Sequence, residues 1–167
     1  REVLTHTREC ISEIGLANSA AELRPPATVV LCRTAASAGY SALMGAAMAT
    51  SQDFATWTCG ERLLPRFLLF CLRAMRSDLL GRLAMGSTHR TIYFPDIASI
   101  RIPLPPVGEQ QRMLDLADAH LEPLGPLELA VSRQVALLRE RRQALITAAV
   151  TGNLRLPDRT MTTTAAA

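Results

Sequence analysis

Residues 101–114 read RIPLPPVGEQQRML. Ile100, Ile102 and Leu104 alternate as one face of an extended segment does, and Pro103, with no N–H to donate, confines that segment to a sheet edge. Pro105 and Pro106 stop it. Beyond them Glu109 falls in a first helical turn, where its charge suits the helix dipole, and Met113, Leu114 and Ala117 open an apolar stripe of helical period. The pattern predicts a globular unit over residues 1–106 and a helical region from residue 107.

Downstream, Pro123 and Pro126 interrupt the chain after Leu121, so the first helix should break there before a second begins. Leu124, Leu127, Val131, Gln134, Leu138, Arg141, Leu145 and Ala148 then follow alternating steps of three and four residues up to Thr151 and Gly152. That spacing is a coiled-coil seam, in which the polar Gln134 and Arg141 fix register at some cost in stability. With Val135, Leu137 and Ile146 flanking the seam, the helix carries too much apolar surface to stand alone in water and calls for a partner helix. The helical region is expected to end at residue 152, and residues 153–167, closing in MTTTAAA, to form a disordered tail.

Upstream, the β-branched run Thr28–Cys32 after Pro25 and Pro26 reads as a buried strand. The small, polar loop Arg33–Tyr40 follows, an apolar course resumes over Ser41–Met48, and Phe54–Thr58 alternates as a further strand. Residues 65–85 read as one helix: Pro65 suits its first position, Leu68, Leu72, Met75, Leu79 and Leu83 recur at helical spacing, and Gly86 suits its C-cap. Arg66, Arg73 and Arg76 share the other face, as a solvated surface or as a stripe that contacts phosphates. The polar run Ser87–Thr88–His89–Arg90 is either a plain turn or a finger of donors for bases and phosphates, and TIYF after it is a short apolar segment. The expected fold class is therefore α+β: a small mixed globular domain followed by a long coiled-coil-forming helical segment.

A chain of 167 residues can bury one ordinary core. No apolar run reaches the roughly 18 residues that span a bilayer, and the first residues lack the apolar centre of a signal peptide, so the cytoplasm is the expected compartment. The chain opens on Arg1 with no start signal, which suggests a domain whose N-terminal part is missing. Cys10, Cys32, Cys59 and Cys71 show no CxxC spacing and no metal-ligand pattern with the three histidines, and read as reduced, buried thiols rather than zinc ligands. The formal charge is only +3, yet residues 61–112 hold eight arginines against four acids. There is no lysine. Arginine offers a planar fork suited to phosphates and guanine edges, although a GC-rich gene gives the same bias. The sequence contains no GxGxxG, P-loop, HExxH or GxSxG, and neither an Asn-Pro-Pro-Tyr nor an Asp-Pro-Pro-Tyr methylation motif. No cofactor and no catalytic residue is expected.

The opening stretch, as IRIPLPPVGEQQRM, together with LLRERRQALITAAVTGNL, closely resembles the target-recognition domain and following helix of the specificity subunit of type I restriction-modification systems. ISEIGLANSAAEL, TVVLCRTAASAG, MATSQDF and GSTHRTIYFPDIASI follow in that family's order, so the resemblance covers nearly residues 10–156. It implies a non-catalytic reader of one half of a split DNA site, with the helix as spacer and docking surface for methyltransferase subunits, and with a restriction motor subunit as a further partner. Carried over by position, it nominates Arg33, Thr34, Ser37, Tyr40, Ser51, Gln52, Ser87, Thr88, His89 and Arg90 for contact with double-stranded DNA. Gln52 either pairs bidentately with adenine or braces a turn. A full subunit of the family carries two recognition domains and two such helices, where this chain holds one of each. Self-association through Leu127, Val131, Gln134, Leu138, Arg141, Leu145 and Ala148 would restore two-fold geometry; the alternative is a truncated scaffold that only docks partners.

Overall fold

The computed structural model describes residues 2–85 and 91–153. Short strands fill its first third. β1 (Val3–Leu4) precedes a short helix, α1 (Glu13–Ala17), whose N-cap Ser12 accepts a hydrogen bond from the Gly15 amide at 3.1 Å. Then come β2 (Glu22–Arg24), β3 (Thr28–Cys32), β4 (Ser41–Met44), β5 (Met48–Thr50) and β6 (Phe54–Thr58). The main sheet has the order β1-β4-β3-β6, with β1 parallel to β4 and the other pairs antiparallel; β2 and β5 form a separate antiparallel ribbon. β3 lies inside this sheet with Thr28, Val29, Val30 and Leu31 all buried, as its unbroken β-branched run requires. The hydroxyls of Thr28 and Thr58 satisfy each other at 3.0 Å across the β3–β6 pair.

The helix expected over residues 65–85 forms in pieces that reach Leu83, interrupted at Met75 and widened in its last turn, and it ends two residues early. α2 (Pro65–Ala74) has Pro65 in its first turn and buries Phe67, Leu68, Leu69, Cys71 and Leu72. It is followed by α3 (Arg76–Asp78), a π turn over Leu79–Leu83, and β7 (Ala84–Met85), which pairs with β8 (Thr91–Ile92). The strand pairing takes the chain off the helical path before residue 85, and Gly86, expected to cap the helix, lies outside the described residues. The TIYF segment also divides. Thr91–Ile92 is strand, whereas Phe94 begins α4 (Phe94–Ser99), where Pro95 presets the first-turn φ.

Three buried clusters knit these pieces together. Val29 meets Leu68, Leu69 and Leu72 of α2; Leu31 and Ala55 meet Leu79, Ile92 and Ile97; Phe67 and Cys71 meet Leu114. Residues 100–106 contain no strand, contrary to the edge strand expected there. Three of those seven positions are proline and cannot donate to a ladder, so the alternation serves packing alone. Ile100 and Ile102 turn into the core clusters while Leu104 is exposed.

α5 (Val107–Leu121) begins where the helical region was expected to begin, but its first turns belong to the globule. Gln110 is completely buried and uses its whole amide: Oε1 accepts from the Leu64 N–H at 2.9 Å, and Nε2 donates to the carbonyls of Arg62 at 2.9 Å and Pro105 at 2.7 Å. One side chain thereby joins the entry to α2, the end of the proline strap and the start of α5. Leu114 is buried one turn on, whereas Met113, expected in the apolar stripe, is exposed. The chain divides into two compact units between Asp118 and Ala119.

In the second unit α6 (Leu124–Val150) runs for 27 residues. Glu122 and Pro123 break it from α5, while Pro126 is accommodated in its first turn, where an N–H has no helical acceptor. The Thr151 hydroxyl donates to the Thr147 carbonyl at 2.8 Å and Gly152 takes φ +73°, which ends the helix. No residue of α6 is buried: Leu127, Val131, Leu138 and Leu145 of the expected seam are 47–60% exposed, and so are Leu129 and Leu137 away from it. No helix is long and apolar enough to cross a membrane among the described residues. All four cysteines are free; Cys71 is buried and Cys32 and Cys59 half-buried, but Cys10 is exposed, against the expectation that all would be inside. Burial pushes the Cys59 and Cys71 thiols up. Of the expected tail, residues 154–167 lie outside the described residues.

Candidate nucleic-acid interface

β3 delivers the chain into the loop at residues 33–40, and backbone bonds close that loop at its base. Cys32 N–H donates to the Tyr40 carbonyl at 2.8 Å and Gly39 N–H to the Cys32 carbonyl at 2.9 Å. Gly39 takes φ +78°, and a Cβ there would sit 3.2 Å from the Leu80 side chain, so the return path admits only glycine without strain. Within the loop a 3-10 turn over Ala35–Ser37 buries Ala38 and leaves Ser37 and Tyr40 exposed. Thr34 bridges to Thr91, the first residue of β8. The Arg76 guanidinium stacks over the Tyr40 ring at 4.0 Å, a cation–π contact that props this exposed aromatic from below.

A second exposed turn links β5 to β6. Phe54 N–H donates to the Ser51 carbonyl at 3.2 Å and Asp53 N–H to the Ser51 hydroxyl at 3.3 Å, so Ser51 shapes the turn that presents Gln52. The two segments meet through Arg33. Its N–H donates to the Asp53 carbonyl at 2.8 Å, and its carbonyl accepts from Ile92 N–H at 2.9 Å. Its guanidinium donates from Nε and Nη2 to the Gln52 carbonyl at 3.2 and 3.0 Å and from Nη1 to the Ile92 carbonyl at 3.2 Å, while its Cζ lies 3.9 Å from the centre of the Phe94 ring. Beside the turn opens a groove of about 480 Å³, with Arg24, Gln52, Thr56, Trp57 and Phe94 among its walls.

Of the residues nominated from sequence, Arg33, Thr34, Ser37, Tyr40, Ser51 and Gln52 occupy these two linked segments. Ser87, Thr88, His89 and Arg90 lie outside the described residues. Sequence reasoning placed Arg76 in an arginine stripe rather than against Tyr40, and it missed Ile92 and Phe94. Only Phe94 left a signal, as an aromatic next to Pro95 and therefore placed at a helix start. The arginine stripe proposed for α2 is partly neutralised: Arg66 holds Glu2 at 2.6 Å and both oxygens of Asp118 at 2.6 Å. Arg82 pairs with Asp78 at 2.5 Å, and Arg112 pairs with Glu109 one turn back. Among the described residues, no three His, Cys, Asp or Glu side chains gather as a metal would need.

The Arg66 cluster carries a pH signature. Hydrogen bonds from Arg66 hold the Asp118 carboxyl below its usual range, and those same bonds to Asp118 and Glu2 push the Arg66 guanidinium up. A depressed carboxyl contributes stability above its unfolded pKa of about 3.9, and that contribution is lost as pH falls through the lower folded value. The parent should therefore lose stability below about pH 4, and Asp118→Asn should start weaker at pH 7 and show a flatter acid limb. Denaturation midpoints collected from pH 7 to pH 2 read this directly; superimposable acid limbs would remove Asp118 from the account.

Comparison with known proteins places this arrangement. A chain from a structure of the type I R-M system, solved to explain complex assembly and conformational transition, is 23% identical with a TM-score of 0.60, over 80% of this chain and 33% of that one. The HsdS subunit from Thermoanaerobacter tengcongensis is 23% identical with a TM-score of 0.55, over 79% of this chain and 31% of that one. This chain thus spans about a third of the length of the structures it matches and shares their fold over that third. Residues 6–124, which contain both exposed segments and the Gln110 junction, match the family described as type I restriction modification DNA specificity domain. The chain therefore belongs to the type I restriction-modification DNA specificity family.

Proposed function

We propose that this chain reads one half of a split DNA site for a type I restriction-modification complex, without catalysing a reaction itself. The observation that carries the reading is the convergence of two exposed, polar segments, residues 33–40 and 51–53, on one arginine inside a domain of the DNA specificity family. Ser37, Tyr40, Ser51 and Gln52 offer hydroxyls and an amide to base edges and phosphates; Gln52 is suited to adenine and Tyr40 to apolar and phosphate contact. Residues 87–90 extend the same donor set in sequence. α6 supplies the second half of the role. Leu127, Val131, Leu138 and Leu145 line its seam, Gln134 and Arg141 set the register within it, and Ala148 allows close approach. Leu129 stands on the opposite face, two residues or about 200° from Leu127. A helix apolar on more than one side needs more than one neighbour, which suits docking both to a second copy of this helix and to methyltransferase subunits, with the restriction motor joining the resulting complex.

The test is co-expression with a methyltransferase subunit of a type I restriction-modification system, followed by sequencing of methylated adenines in host DNA. The expected result is a split, palindromic motif that depends on this chain. A complex that forms yet leaves host methylation unchanged would favour the second reading, a docking scaffold, for which the uncovered faces of α6 are the supporting observation. Binding of the complex to a duplex bearing the motif should also weaken steeply with salt: about six phosphate contacts would cost roughly a thousandfold between 50 and 200 mM salt. Affinity flat across that range would count against DNA reading.

A further inference from the structure

Arg33 stands among the residues nominated for DNA contact, and its surroundings assign it another task. Base readout by arginine needs two parallel N–H groups aimed at a guanine edge. In Arg33 the Nε and Nη2 groups that form one such edge both point at the Gln52 carbonyl, Nη1 points at the Ile92 carbonyl, and one face of the plane rests on Phe94. The backbone of the same residue donates to Asp53 and accepts from Ile92. Six contacts from one residue therefore bind three chain segments that are distant in sequence: the loop at 33–40, the turn at 51–53 and the β8–α4 junction at 91–94. Lysine could not substitute, because a single ammonium cannot bridge two divergent carbonyls while lying flat on a ring.

We infer that Arg33 is a positioning residue that fixes the mutual placement of these three segments, and that the half-site is read by the side chains it holds in register rather than by Arg33. The inference rests on the DNA-reading proposal, and two measurements separate its failure from the failure of that proposal. The first needs no DNA. In the full chain purified with its methyltransferase subunit, amide hydrogen exchange is followed at Phe54 and Ile92, with Val29–Leu31 of β3 as the fold control. Arg33→Gln should speed exchange at both reporters together, by roughly tenfold, while β3 stays protected. Exchange unchanged at both, or faster at one alone, would overturn the inference. If Arg33→Gln unfolds β3 as well, Arg33→Lys decides: it should keep β3 intact and loosen both reporters, and the same unchanged or one-sided pattern would overturn it.

The second measurement is the methylation motif. A positioning role predicts that Arg33→Gln relaxes at least two positions of the half-site at once, with the salt dependence of DNA binding unaltered. Relaxation at a single position would mark Arg33 as a base reader, and a salt slope shallower by about one would mark it as a phosphate contact; either outcome overturns the inference. A parent complex with no motif would refute the DNA-reading proposal and leave the exchange result to decide the placement role alone.

Discussion

Replacing Gln110 with leucine is expected to destabilise the globule more than any other single polar change in the chain. The substitution preserves the approximate volume and the helix of α5 but leaves the partly buried Leu64 N–H and the carbonyls of Arg62 and Pro105 without their present partner. Each orphaned group costs about 1–3 kcal/mol, so the sum should fall at roughly 3–5 kcal/mol after relaxation, a large part of a domain's whole stability. Gln110→Glu sharpens the test. A carboxylate could still accept from Leu64 but could not donate to two carbonyls, and its charge would be fully buried, so it should be no better than leucine. Urea denaturation of parent and both variants, followed by the fluorescence of Trp57, measures the difference. A shift under 1 kcal/mol for the leucine variant would mean that water replaces the amide, and the junction would lose its claim to a special role.

The second large effect is expected on assembly. Leu138→Asp and Leu145→Asp each place a charge in the middle of the seam of α6, where both leucines now stand about half exposed. Loss of a buried leucine alone costs about 2–5 kcal/mol, and at 1.4 kcal/mol per factor of ten each variant should weaken association by roughly thirtyfold or more. Light scattering of the co-purified complex would show the dissociation, with circular dichroism confirming that the globule is intact. Gln134→Leu supplies the opposite sign: tighter association with looser control of partner number. If the aspartate variants still co-purify at parent stoichiometry, the seam is not the interface and the faces marked by Leu129 and Leu137 become the candidates.

How much of this was legible depended on whether a residue's role is local. β3 and β6 match their expected bounds, because β-branched runs and weak alternation report directly on pleated strands. α6 also begins and ends as its spacing indicated, and Pro126 proved harmless because its missing N–H falls in the first turn. The misreadings share a cause. The helix over 65–85 and the strand over 100–104 each carry a convincing local period that a distant partner overrides: β8 captures Ala84 and Met85, and the apolar clusters capture Ile100 and Ile102 without any ladder. The same holds at the candidate interface. Arginine at position 33 suits guanine by residue type, yet its three guanidinium bonds go to carbonyls 19 and 59 residues away, partners that no local window reveals. Gln110 was closer to visible, since a glutamine one turn before a buried Leu114 interrupts the inward face of α5.

The acceptors of the Arg33 guanidinium are all main-chain carbonyls, at Gln52 and Ile92. A carbonyl is the same whatever side chain its residue bears. Gln52, Ser37 or Tyr40 can therefore be exchanged for other residues while the frame that aims them stays in place. The domain separates what is displayed from what does the displaying, as a type case holds any letter set into it. If these side chains read the half-site as proposed, new specificities would be reachable through single substitutions that leave the fold intact, and the cost of changing the message would fall on the few positions that carry it.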